Sequence, residues 1–440
     1  MKNNKYFNQY KIKKFDKKIQ VSGDKSLSIR WVLFSSIANG ISEAKNLLLS
    51  EDVLASIEAI RKLGIKVKLN NKICKIYGKG IDGYKYKKNI IIDAKNSGTL
   101  GRLILGLLVN TPYKIKLIGD KSLSKRDFSR VAIPLIKFGV KIKLNKKKSL
   151  PLFIEGTKKL VPTKYYEKKG SAQCKSAIIL AGLKTYGKTL ILAKKSRNHT
   201  ELLCKYLKLP IKLDYKKNLD LIEINRANKI KALNYKIPSD ISSSAFFIVL
   251  TTLSEESKLL IKNVNINPSR VGAITILKKM GANIKFKNIK NYKGELISDI
   301  YIESVKNLKS INCPKYLNSS AIDEFLVIFL VAAKAKGISY FKGLSELNQK
   351  ESPRLILGSK ILNLMGIKTI LTKDSIKIFG NPKLSINKKI IIKNFLKDHR
   401  IFMTSVVAAL SFGGQWQIHD KDSINTSFPS FLKIIKKLKS

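Results

Sequence analysis

An internal repeat constrains the fold of this chain more than any other feature of its sequence. Six apolar helical runs follow one another along the 440 residues, beginning near Ser26, Thr99, Gln173, Ser242, Ala321 and His399. Their starts lie roughly 70 to 80 residues apart, which is longer than the 20 to 50 residues of a solenoid repeat. Because these runs are apolar on nearly every side, we expect the helices to be buried inside globular domains.

A second, amphipathic helix follows each buried one after a short β-like stretch such as "TLILA" or "ISYFKG". Five of these helices end at a chain reversal into a strand. Gly64, Gly139, Gly281 and Gly366 stand at four of the reversals, where glycine suits the left-handed conformation just past a helix end. In the third copy, "KYLKLPIKL", we place Pro210 at the same position, since proline also stops a helix.

Six such units indicate an α/β protein with two domains of three units each, with helices in the interior and sheets outside. The seam falls near "YKIPSDISSS". The segment "YKIKKFDKKIQV" precedes the first unit, so we assign it to the second half. The predicted domains are a discontinuous one, 1-21 plus 240-440, and an inserted one, 22-239. The two crossings near residues 22 and 239 would form a hinge.

The net charge is extreme, at +56, and such charge is typical of proteins that bind nucleic acids or membranes. The lysines, however, are spread over the whole length, as in "KIKKFDKK", "NKKKS" and "KIIKKLK". We interpret them as a solvated surface that binds polyanions weakly and in a salt-sensitive way, with no specific nucleic-acid partner. The alternative, a basic nucleic-acid-binding repeat protein, would need lysines on one face with aromatic side chains between them.

Cysteine spacing and hydropathy bear on the compartment. Cys74, Cys174, Cys204 and Cys313 form no Cys-x-x-Cys pair, which argues against a zinc site or a disulfide framework and favours reduced thiols in the core. No uninterrupted stretch approaches the roughly 20 apolar residues of a membrane span, and the N-terminal segment has no apolar signal core. We therefore expect a cytoplasmic protein with no membrane partner and no metal.

Polar groups stand at the starts of the six buried helices, where backbone N–H groups without helical partners and the helix dipole favour anions such as phosphate. They are Lys25, Ser26 and Arg30; Asn96, Gly98, Thr99 and Arg102; Ser171 and Gln173; Asp240 and Ser242; Asp323 and Glu324; and His399 and Arg400. Ordinary capping explains each hydroxyl, amide or carboxylate taken singly. The arginines indicate more than capping.

Arginine is scarce, with ten residues among the 86 Lys and Arg. Arg offers a planar fork for carboxylate or phosphate that Lys lacks. Six arginines lie in polar clusters: Arg30, Arg102, Arg126, Arg197, Arg354 and Arg400. We expect the other four at surface or helix-start positions: Arg61, Arg130, Arg226 and Arg270. The six forks, with Lys25 and Lys350, predict a ligand or ligand pair that carries more than one phosphate or carboxylate.

Acidic side chains accompany these cations. Asp323 opens a buried helix, and Glu351 stands between Lys350 and Arg354. Carboxylates held near cations stay ionised or are tuned for proton transfer. His399, at the start of the sixth buried helix, is a further candidate. The sequence has no Gly-x-x-x-x-Gly-Lys-Ser/Thr loop, which argues against a nucleoside triphosphate motor.

The motifs that carry these residues occur in the order of a known family. They are "GDKSLSIR", "NSGTLGR", "GDKSLSKR", "GSAQCKSAIILAGL", "SRNHTE", "AIDEF", "KESPRL", "DHRIFM" and "TSFPSF". The chain closely resembles the 5-enolpyruvylshikimate-3-phosphate synthases, of the enolpyruvyl transferase family, over nearly its full length. The resemblance implies a two-domain fold in which each domain has three βαβαββ repeats. It also implies transfer of the enolpyruvyl group from phosphoenolpyruvate to the 5-hydroxyl of shikimate 3-phosphate, with release of phosphate. No cofactor is implied, and we expect a monomer.

The resemblance also assigns site residues. Shikimate 3-phosphate would contact Lys25, Ser26, Arg30, Ser171, Ala172, Gln173, Arg197 and Lys350. Phosphoenolpyruvate would contact Lys25, Gly98, Arg126, Arg354 and Arg400. Asp323 would take the proton from the attacking hydroxyl, and Glu351 and Lys25 are the candidates for protonating the methylene carbon.

Several positions depart from the family pattern: Ser22, Asp127, Asn348, Gln349, Pro353 and Asn425. We expect these changes to alter affinity and rate rather than reaction type, because the ionisable set is intact. Pro353 would occupy the first turn of a helix. The nearest rival is the related transferase that acts on UDP-N-acetylglucosamine, whose signature Cys is missing from the loop "GDKSLSKRD". A degenerate, non-catalytic relative is a further alternative.

Overall fold

The structure, a computed structural model, describes residues 6–9, 11–70, 73–216 and 219–440. Contacts within the chain divide it into two compact units. Unit 1 contains the segment up to Ser22 together with Pro238–Asn291 and Leu296–Ser440. Unit 2 contains Gly23–Ile237 and the short segment Tyr292–Glu295. The repeat pattern gave no indication of this second segment of unit 2.

The elements of unit 2 follow the predicted repeat. Two strands of unit 1, β1 (Tyr6–Gln9) and β2 (Asp16–Ile19), precede it. The first repeat contains α1 (Lys25–Ser36), β3 (Asn39–Lys45), α2 (Glu51–Lys62), β4 (Lys66–Leu69) and β5 (Ile73–Lys79). The second contains β6 (Ile91–Asp93), α3 (Gly98–Leu107), β7 (Ile115–Ile118), α4 (Ser129–Ile136), β8 (Lys141–Leu144) and β9 (Leu152–Glu155). The third contains β10 (Lys164–Glu167), α5 (Ala172–Gly182), β11 (Thr189–Lys194), α6 (His199–Tyr206), β12 (Ile211–Tyr215) and β13 (Leu219–Ile224), and β14 (Tyr235–Lys236) follows it.

Unit 1 repeats the pattern. The fourth repeat contains α7 (Ile241–Leu253), β15 (Lys258–Asn265), α8 (Gly272–Lys279), β16 (Asn283–Tyr292) and β17 (Glu295–Glu303). The fifth contains α9 (Asn318–Ala321), α10 (Phe325–Lys334), β18 (Gly337–Phe341), α11 (Arg354–Leu364), β19 (Thr369–Leu371) and β20 (Ile376–Gly380). The sixth contains β21 (Lys389–Ile392), α12 (His399–Phe412), β22 (Gln415–His419) and α13 (Phe431–Lys439).

Within the described residues the strands form six small sheets, one for each repeat. In the second repeat the order is β6-β7-β9-β8, with β6 parallel to β7 and the other neighbours antiparallel. The third repeat has the same arrangement, β10-β11-β13-β12. In the first and fourth repeats the leading strand comes from a distant part of the chain, because β14 pairs parallel with β3 and β2 pairs parallel with β15.

The six long apolar helices lie in the interior of their units, as predicted. In unit 2, α3 packs against α5 and α1, and in unit 1, α12 packs against α7 and α10. Their side chains are buried on all sides, including Val32, Leu103 and Ile178 in unit 2 and Phe247 in unit 1. Burying apolar side chains stabilises the folded state, so a helix that is apolar on every face is most stable when all of its faces are removed from water. The predicted α/β class, with buried helices and outer sheets, is confirmed.

Left-handed residues end the amphipathic helices. Gly64, Gly139, Gly281 and Gly366 have φ of 85°, 91°, 95° and 85°, which confirms the predicted stops. In the third copy the placement of Pro210 is wrong. Lys208 takes the left-handed position there, with φ of 55°. The repeats were matched wrongly here because Lys208 stands where the other copies have glycine, and Pro210 follows two residues later.

The cysteines are free and buried, as predicted, and all four lie in the described ranges. Burial raises the pKa of Cys74 to about 12 and that of Cys313 to about 11, so both stay protonated and unreactive near neutral pH. Over the part of the chain that the structure describes, no helix combines the length and the apolarity that crossing a bilayer requires.

Candidate active site

Capping side chains fix the N-termini of the three buried helices of unit 2. Asp24 accepts a hydrogen bond from the Leu27 amide at 2.8 Å and so caps α1. Ser97 and Ser171 cap α3 and α5 with bonds of 3.2 and 3.3 Å. The ordinary capping explanation therefore holds for Ser171, a predicted binding residue. Other amides of each first turn still point outward, and they favour an anion at these helix ends.

Arg30, on α1, is the most buried of the predicted cations in unit 2, with 3% of its surface exposed. Its Nε donates to Thr200 Oγ1 at 2.8 Å, and its Nη2 donates to Ser176 Oγ at 3.1 Å. Its Nη1 donates to the Ser26 carbonyl at 3.0 Å. Burial lowers the pKa of Arg30 to about 10, against the opposing effect of Glu201. The guanidinium is thus fixed by neutral oxygens, and its charge remains available to an anionic ligand.

A second cluster joins the starts of α3 and α5. Arg102 Nη1 donates to Gln173 Oε1 at 2.8 Å, and Gln173 Nε2 donates to Thr99 Oγ1 at 3.0 Å. Gly98 lies beside two guanidinium groups, because a Cβ built on it would meet Arg102 Nη1 at 2.9 Å and Arg126 Nη1 at 3.1 Å. The absence of a side chain at Gly98 therefore leaves space for these forks. Burial lowers the pKa of Arg102 to about 10.

The remaining predicted residues of unit 2 are half-buried at the same helix starts. Lys25 Nζ lies 3.0 Å from Asp52 Oδ2, a carboxylate that the sequence analysis did not consider. Ser26 and Ala172 are half-buried in the first turns of α1 and α5. Arg197 lies just before α6, close enough to Arg30 for its positive charge to lower the pKa of that guanidinium. The structure thus brings Arg197 close to Arg30, and Arg126 close to Arg102.

Three consecutive buried residues at the start of α6 each hold a different partner. His199 Nδ1 lies 2.7 Å from Glu295 Oε1, Thr200 holds Arg30, and the Glu201 carboxylate pairs with a buried lysine of α5, Lys175, at 2.6 Å. All these side chains are fully or almost fully buried. The "HTE" motif therefore holds Arg30 and Lys175 in place through buried side chains, a role that the sequence pattern did not reveal.

In unit 1 the centre of the site is Arg354, which is 2% exposed. Its Nε and Nη2 donate to the two oxygens of Asp398 at 2.9 and 3.2 Å. Its Nη2 also donates to Glu351 Oε2, and its Nη1 lies 3.7 Å from Asp323 Oδ1. Burial alone would lower the pKa of Arg354, but the carboxylates of Asp398 and Glu351 raise it above its usual value. Burial raises the pKa of Asp398, yet Arg354 brings it below its usual value.

Two further cations surround Asp323. Lys350 Nζ lies 3.4 Å from Asp323 Oδ1, and Arg400 Nη1 donates to the Asp323 backbone carbonyl at 2.5 Å. Asp323 is half-buried in the turn between α9 and α10. The structure therefore brings all five predicted site residues of unit 1 together: Asp323, Lys350, Glu351, Arg354 and Arg400. A carboxylate flanked by cations can bind anions at its edge and exchange a proton with a bound hydroxyl.

Asp398 is the most important residue that sequence reasoning missed in unit 1. It holds Arg354, accepts a bond from Ser352 Oγ at 2.8 Å, and caps α12 through the Arg400 amide at 2.9 Å. The sequence carried a signal, since an aspartate directly before a buried helix is a capping pattern. His399, the candidate beside it, has its Nδ1 3.2 Å from Thr426 Oγ1.

Several departures from the family pattern have local structural roles. Pro353 precedes α11 as its N-cap and not in its first turn as predicted, so the helix start survives but shifts by one residue. Proline has no side-chain acceptor, and Asn348 Oδ1 instead accepts from the Leu355 amide at 3.1 Å. Asp127 accepts from the Ser129 amide at 2.7 Å, at the start of α4. Asn425 is exposed.

Arg270 lies two residues before α8, at a helix start, which is one of the two kinds of position expected for it. It is buried, with 2% of its surface exposed, and its Nη2 donates to Ser242 Oγ of α7 at 2.7 Å. No three His, Cys, Asp or Glu side chains of the described ranges lie close enough to hold a metal ion.

Comparison with known proteins decides the family. A model of the EPSP synthase (3-phosphoshikimate 1-carboxyvinyltransferase) family matches residues 9–435. The chain belongs to this family. Two relatives named 3-phosphoshikimate 1-carboxyvinyltransferase support the assignment. The one from Ruthia magnifica is 39% identical over 421 residues, covering 96% of this chain and 94% of the relative. The one from Caldicellulosiruptor bescii is 37% identical over 425 residues, covering 96% of each chain.

Solved structures agree with the EPSP synthase assignment. The EPSP synthase from Acinetobacter baumannii has a TM-score of 0.87 and 35% identity, and the match covers 98% of both chains. The enolpyruvyl transferase NikO from Streptomyces tendae has a TM-score of 0.76 at 14% identity, covering 98% of this chain and 97% of that one, which shows a shared fold. The two-domain enolpyruvyl-transferase-like fold expected from the sequence is thereby confirmed, and so is the family.

Proposed function

We propose that this member of the EPSP synthase family transfers the enolpyruvyl group of phosphoenolpyruvate to the 5-hydroxyl of shikimate 3-phosphate and releases phosphate. The observation that carries the proposal is the cluster around Asp323, Glu351 and Arg354 in a chain that matches the family over nearly its whole length. This cluster combines a candidate base, a candidate acid and anion-binding forks. The proposed reaction needs all three.

Unit 2 would bind shikimate 3-phosphate. Arg30, held by Thr200 and Ser176, offers a charge that neutral hydroxyls orient but do not neutralise. The N–H groups of a helix's first turn point out of its end, and Ser26, Ser171, Ala172 and Gln173 lie in or beside the first turns of α1 and α5. A phosphate dianion is recognised by such a combination of a guanidinium and helix N-termini. Arg197 and Lys350 would add contacts to the same substrate.

Phosphoenolpyruvate carries a phosphate and a carboxylate, and several forks match these two groups. The family resemblance assigns Arg126, Arg354 and Arg400 to these groups, and Gly98 leaves space beside Arg126. Lys25 would contact the same substrate. Neutralising both anionic groups makes the enol double bond easier to protonate, because positive charge then develops at C2 in a preorganised site.

The proposed steps use Asp323, with Glu351 or Lys25. Glu351 or Lys25 protonates C3 of phosphoenolpyruvate, so that C2 becomes cationic. The 5-hydroxyl attacks C2 as Asp323 takes its proton, which gives a tetrahedral intermediate. The group that protonated C3 then takes a proton back from the new methyl group as the C2–O bond to phosphate breaks, which forms the enolpyruvyl ether and releases phosphate. Cations around the phosphate stabilise the leaving group, and no metal or organic cofactor is needed for the balance.

The organisation of the chain belongs to the same proposal. We propose an inserted domain, 22-239, and a discontinuous domain, 1-21 plus 240-440, with a hinge near residues 22 and 239. We further propose a monomer in the cytoplasm, where a reducing environment suits four free, buried thiols. The lysine coat would bind polyanions weakly and without sequence preference.

Phosphate release from phosphoenolpyruvate, measured with and without shikimate 3-phosphate, tests the proposal. We expect release only when shikimate 3-phosphate is present, and none with UDP-N-acetylglucosamine as the acceptor. Arg126→Lys keeps the charge and loses the fork, so it should lose far more activity than Lys147→Ala, a change at an exposed lysine. Release that does not depend on shikimate 3-phosphate would refute the proposed function.

A further inference from the structure

Four buried polar side chains of unit 1 contact one another in sequence and end at the candidate active site. We call this set the buried relay: Arg270, Ser242, Glu324 and Arg400. The first three are almost completely buried, with 2%, 5% and 2% of their surfaces exposed, and the Arg400 side chain is 11% exposed. Buried charges of this kind are expensive unless they are paired, so the arrangement calls for an explanation.

The hydroxyl of Ser242 has a defined direction. Arg270 Nη2 donates to Ser242 Oγ at 2.7 Å, and arginine can only donate. The single hydroxyl proton therefore goes to Glu324 Oε1, with which Ser242 Oγ is hydrogen-bonded. The Arg270 guanidinium thus fixes the Ser242 hydroxyl, and the hydroxyl fixes one oxygen of the Glu324 carboxylate.

Glu324 in turn lies against Arg400. Its Oε1 is 3.8 Å from Arg400 Nη1, and the same Nη1 donates to the backbone carbonyl of Asp323 at 2.5 Å. The relay therefore ends at the guanidinium that braces the turn carrying the proposed base. Its last member before Arg400 is Glu324, which is almost completely buried.

Helix capping does not account for Glu324. It is the N-cap residue of α10, yet among the described residues its side chain makes no capping hydrogen bond to the first turn. The carboxylate is turned toward Ser242 instead. A capping acid would contribute mainly to the stability of α10, whereas a carboxylate aimed at Arg400 acts on the orientation of that side chain.

We propose that Glu324 is a positioning residue, held by Ser242 and Arg270, which orients Arg400 for the carboxylate or phosphate of phosphoenolpyruvate. The proposal rests on the proposed function. Two opposite effects of Glu324 are conceivable in physical terms. Its negative charge repels an anionic substrate, which would weaken binding, but it also holds the fork in place, which spares the entropy of ordering Arg400 at each binding event. The buried relay behind Glu324 favours orientation as the larger effect.

Glu324→Gln separates these effects, because glutamine keeps an oxygen that accepts from Ser242 and removes the charge that faces Arg400. We expect KM for phosphoenolpyruvate to rise about tenfold, because Arg400 loses an ion-pair partner 3.8 Å away that helps to orient it. KM for shikimate 3-phosphate should stay within about twofold, since that substrate would bind mainly to unit 2. Ser242→Ala should raise the same KM by a smaller factor. Ser244→Ala is the matched control, because that buried hydroxyl on α7 donates to the carbonyl of Asp240, the N-cap of the same helix, at 2.8 Å, and not to Glu324.

The outcomes are distinct. A wild-type protein without shikimate-dependent turnover refutes the proposed function and not the relay. The relay is also measured without turnover, by NMR of the Arg400 guanidinium, whose rotation should be slow in wild type and in Ser244→Ala and faster in Glu324→Gln and Ser242→Ala. A fall in KM for phosphoenolpyruvate in Glu324→Gln would show that repulsion dominates and overturn the proposal. A lower melting temperature with unchanged KM values and unchanged guanidinium rotation would also overturn it, since Glu324 would then be merely structural.

Discussion

Replacing Asp398 by Asn tests how much its buried ion pair with Arg354 contributes to the stability of unit 1. Asp398 is fully buried and accepts two hydrogen bonds from Arg354, at 2.9 and 3.2 Å. Asparagine keeps an oxygen that can cap α12, since Asn and Asp are about equally good caps. The substitution therefore removes the charge while it leaves the helix start intact.

The magnitude follows from what remains around Arg354. Removing one partner of a buried ion pair costs about 3–5 kcal/mol, because the other charge stays buried without compensation. Here Arg354 keeps Glu351 as a partner and has Asp323 at 3.7 Å. We therefore expect the lower end of the range, about 3 kcal/mol. For a unit of roughly 200 residues this corresponds to a melting temperature lower by about 6–12 °C.

The loss should depend on pH. The pKa of Asp398 is lowered in the folded state, below the value of about 3.9 for an unfolded aspartate. Its contribution is thus fully present above about pH 4 and is lost as the pH falls through the folded-state pKa. The difference between wild type and Asp398→Asn should therefore shrink in acid.

Urea unfolding followed by tryptophan fluorescence measures the effect. Trp416 lies in unit 1 and Trp31 in unit 2, so a Trp31→Phe background reports unit 1 alone. Asp422→Asn is the control, because Asp422 is 64% exposed and lies 3.9 Å from Lys397 in a surface pair, which is worth less than about 1 kcal/mol. A deficit for Asp398→Asn no larger than that of the control, or one that stays constant into acid, would refute the reasoning.

Three further predictions follow from the structure. Lys208→Gly should raise the free energy of unfolding in urea by about 0.5–1 kcal/mol, because glycine adopts the left-handed backbone without strain. Gly366→Ala, at a position with open space around a built Cβ, should lower it by about the same amount. A change of the same sign in both variants would contradict this. Glu295→Ala should lower the free energy of unfolding by about 2 kcal/mol, since it removes a buried hydrogen-bonding partner of His199 Nδ1. A change below about 0.5 kcal/mol, on the scale of an ordinary surface substitution, would count against it. Gly98→Ala should raise KM for phosphoenolpyruvate with little change in melting temperature, because its Cβ would push on two guanidinium groups; an unchanged KM would refute the packing argument.

The repeat made the fold predictable. Buried helices and their starts follow from apolar periodicity, and five of the six starts agree with the structure to within one residue. The fifth differs because the apolar pattern continues across a break: α9 ends at Ala321 and α10 begins at Phe325. The spacing of apolar residues shows which side chains are buried, but it does not reveal a turn that leaves this spacing unchanged. That turn is where Asp323 lies.

The candidate site was predictable only in part. The scarcity of arginine identified Arg354 and Arg30, since Lys would have served for charge alone. It did not identify their partners, Asp398 and Thr200, because these lie on other elements and local spacing carries no information on such pairs. It also gave no sign that Arg270, at the start of α8, is buried against α7. Partners across elements depend on the packing of the helices, which the sequence pattern specifies only coarsely.

The most direct test of the account is the ratio of products from phosphoenolpyruvate and shikimate 3-phosphate. Inorganic phosphate and the enolpyruvyl ether are quantified in one reaction, by a colorimetric assay and by NMR. We predict a ratio of about one for the wild-type protein and the loss of both products in Asp323→Asn, since a base that takes the hydroxyl proton is needed for ether formation. Phosphate without ether, or equal turnover in Asp323→Asn, would contradict the central claim that this chain is an enolpyruvyl transferase with Asp323 as its base.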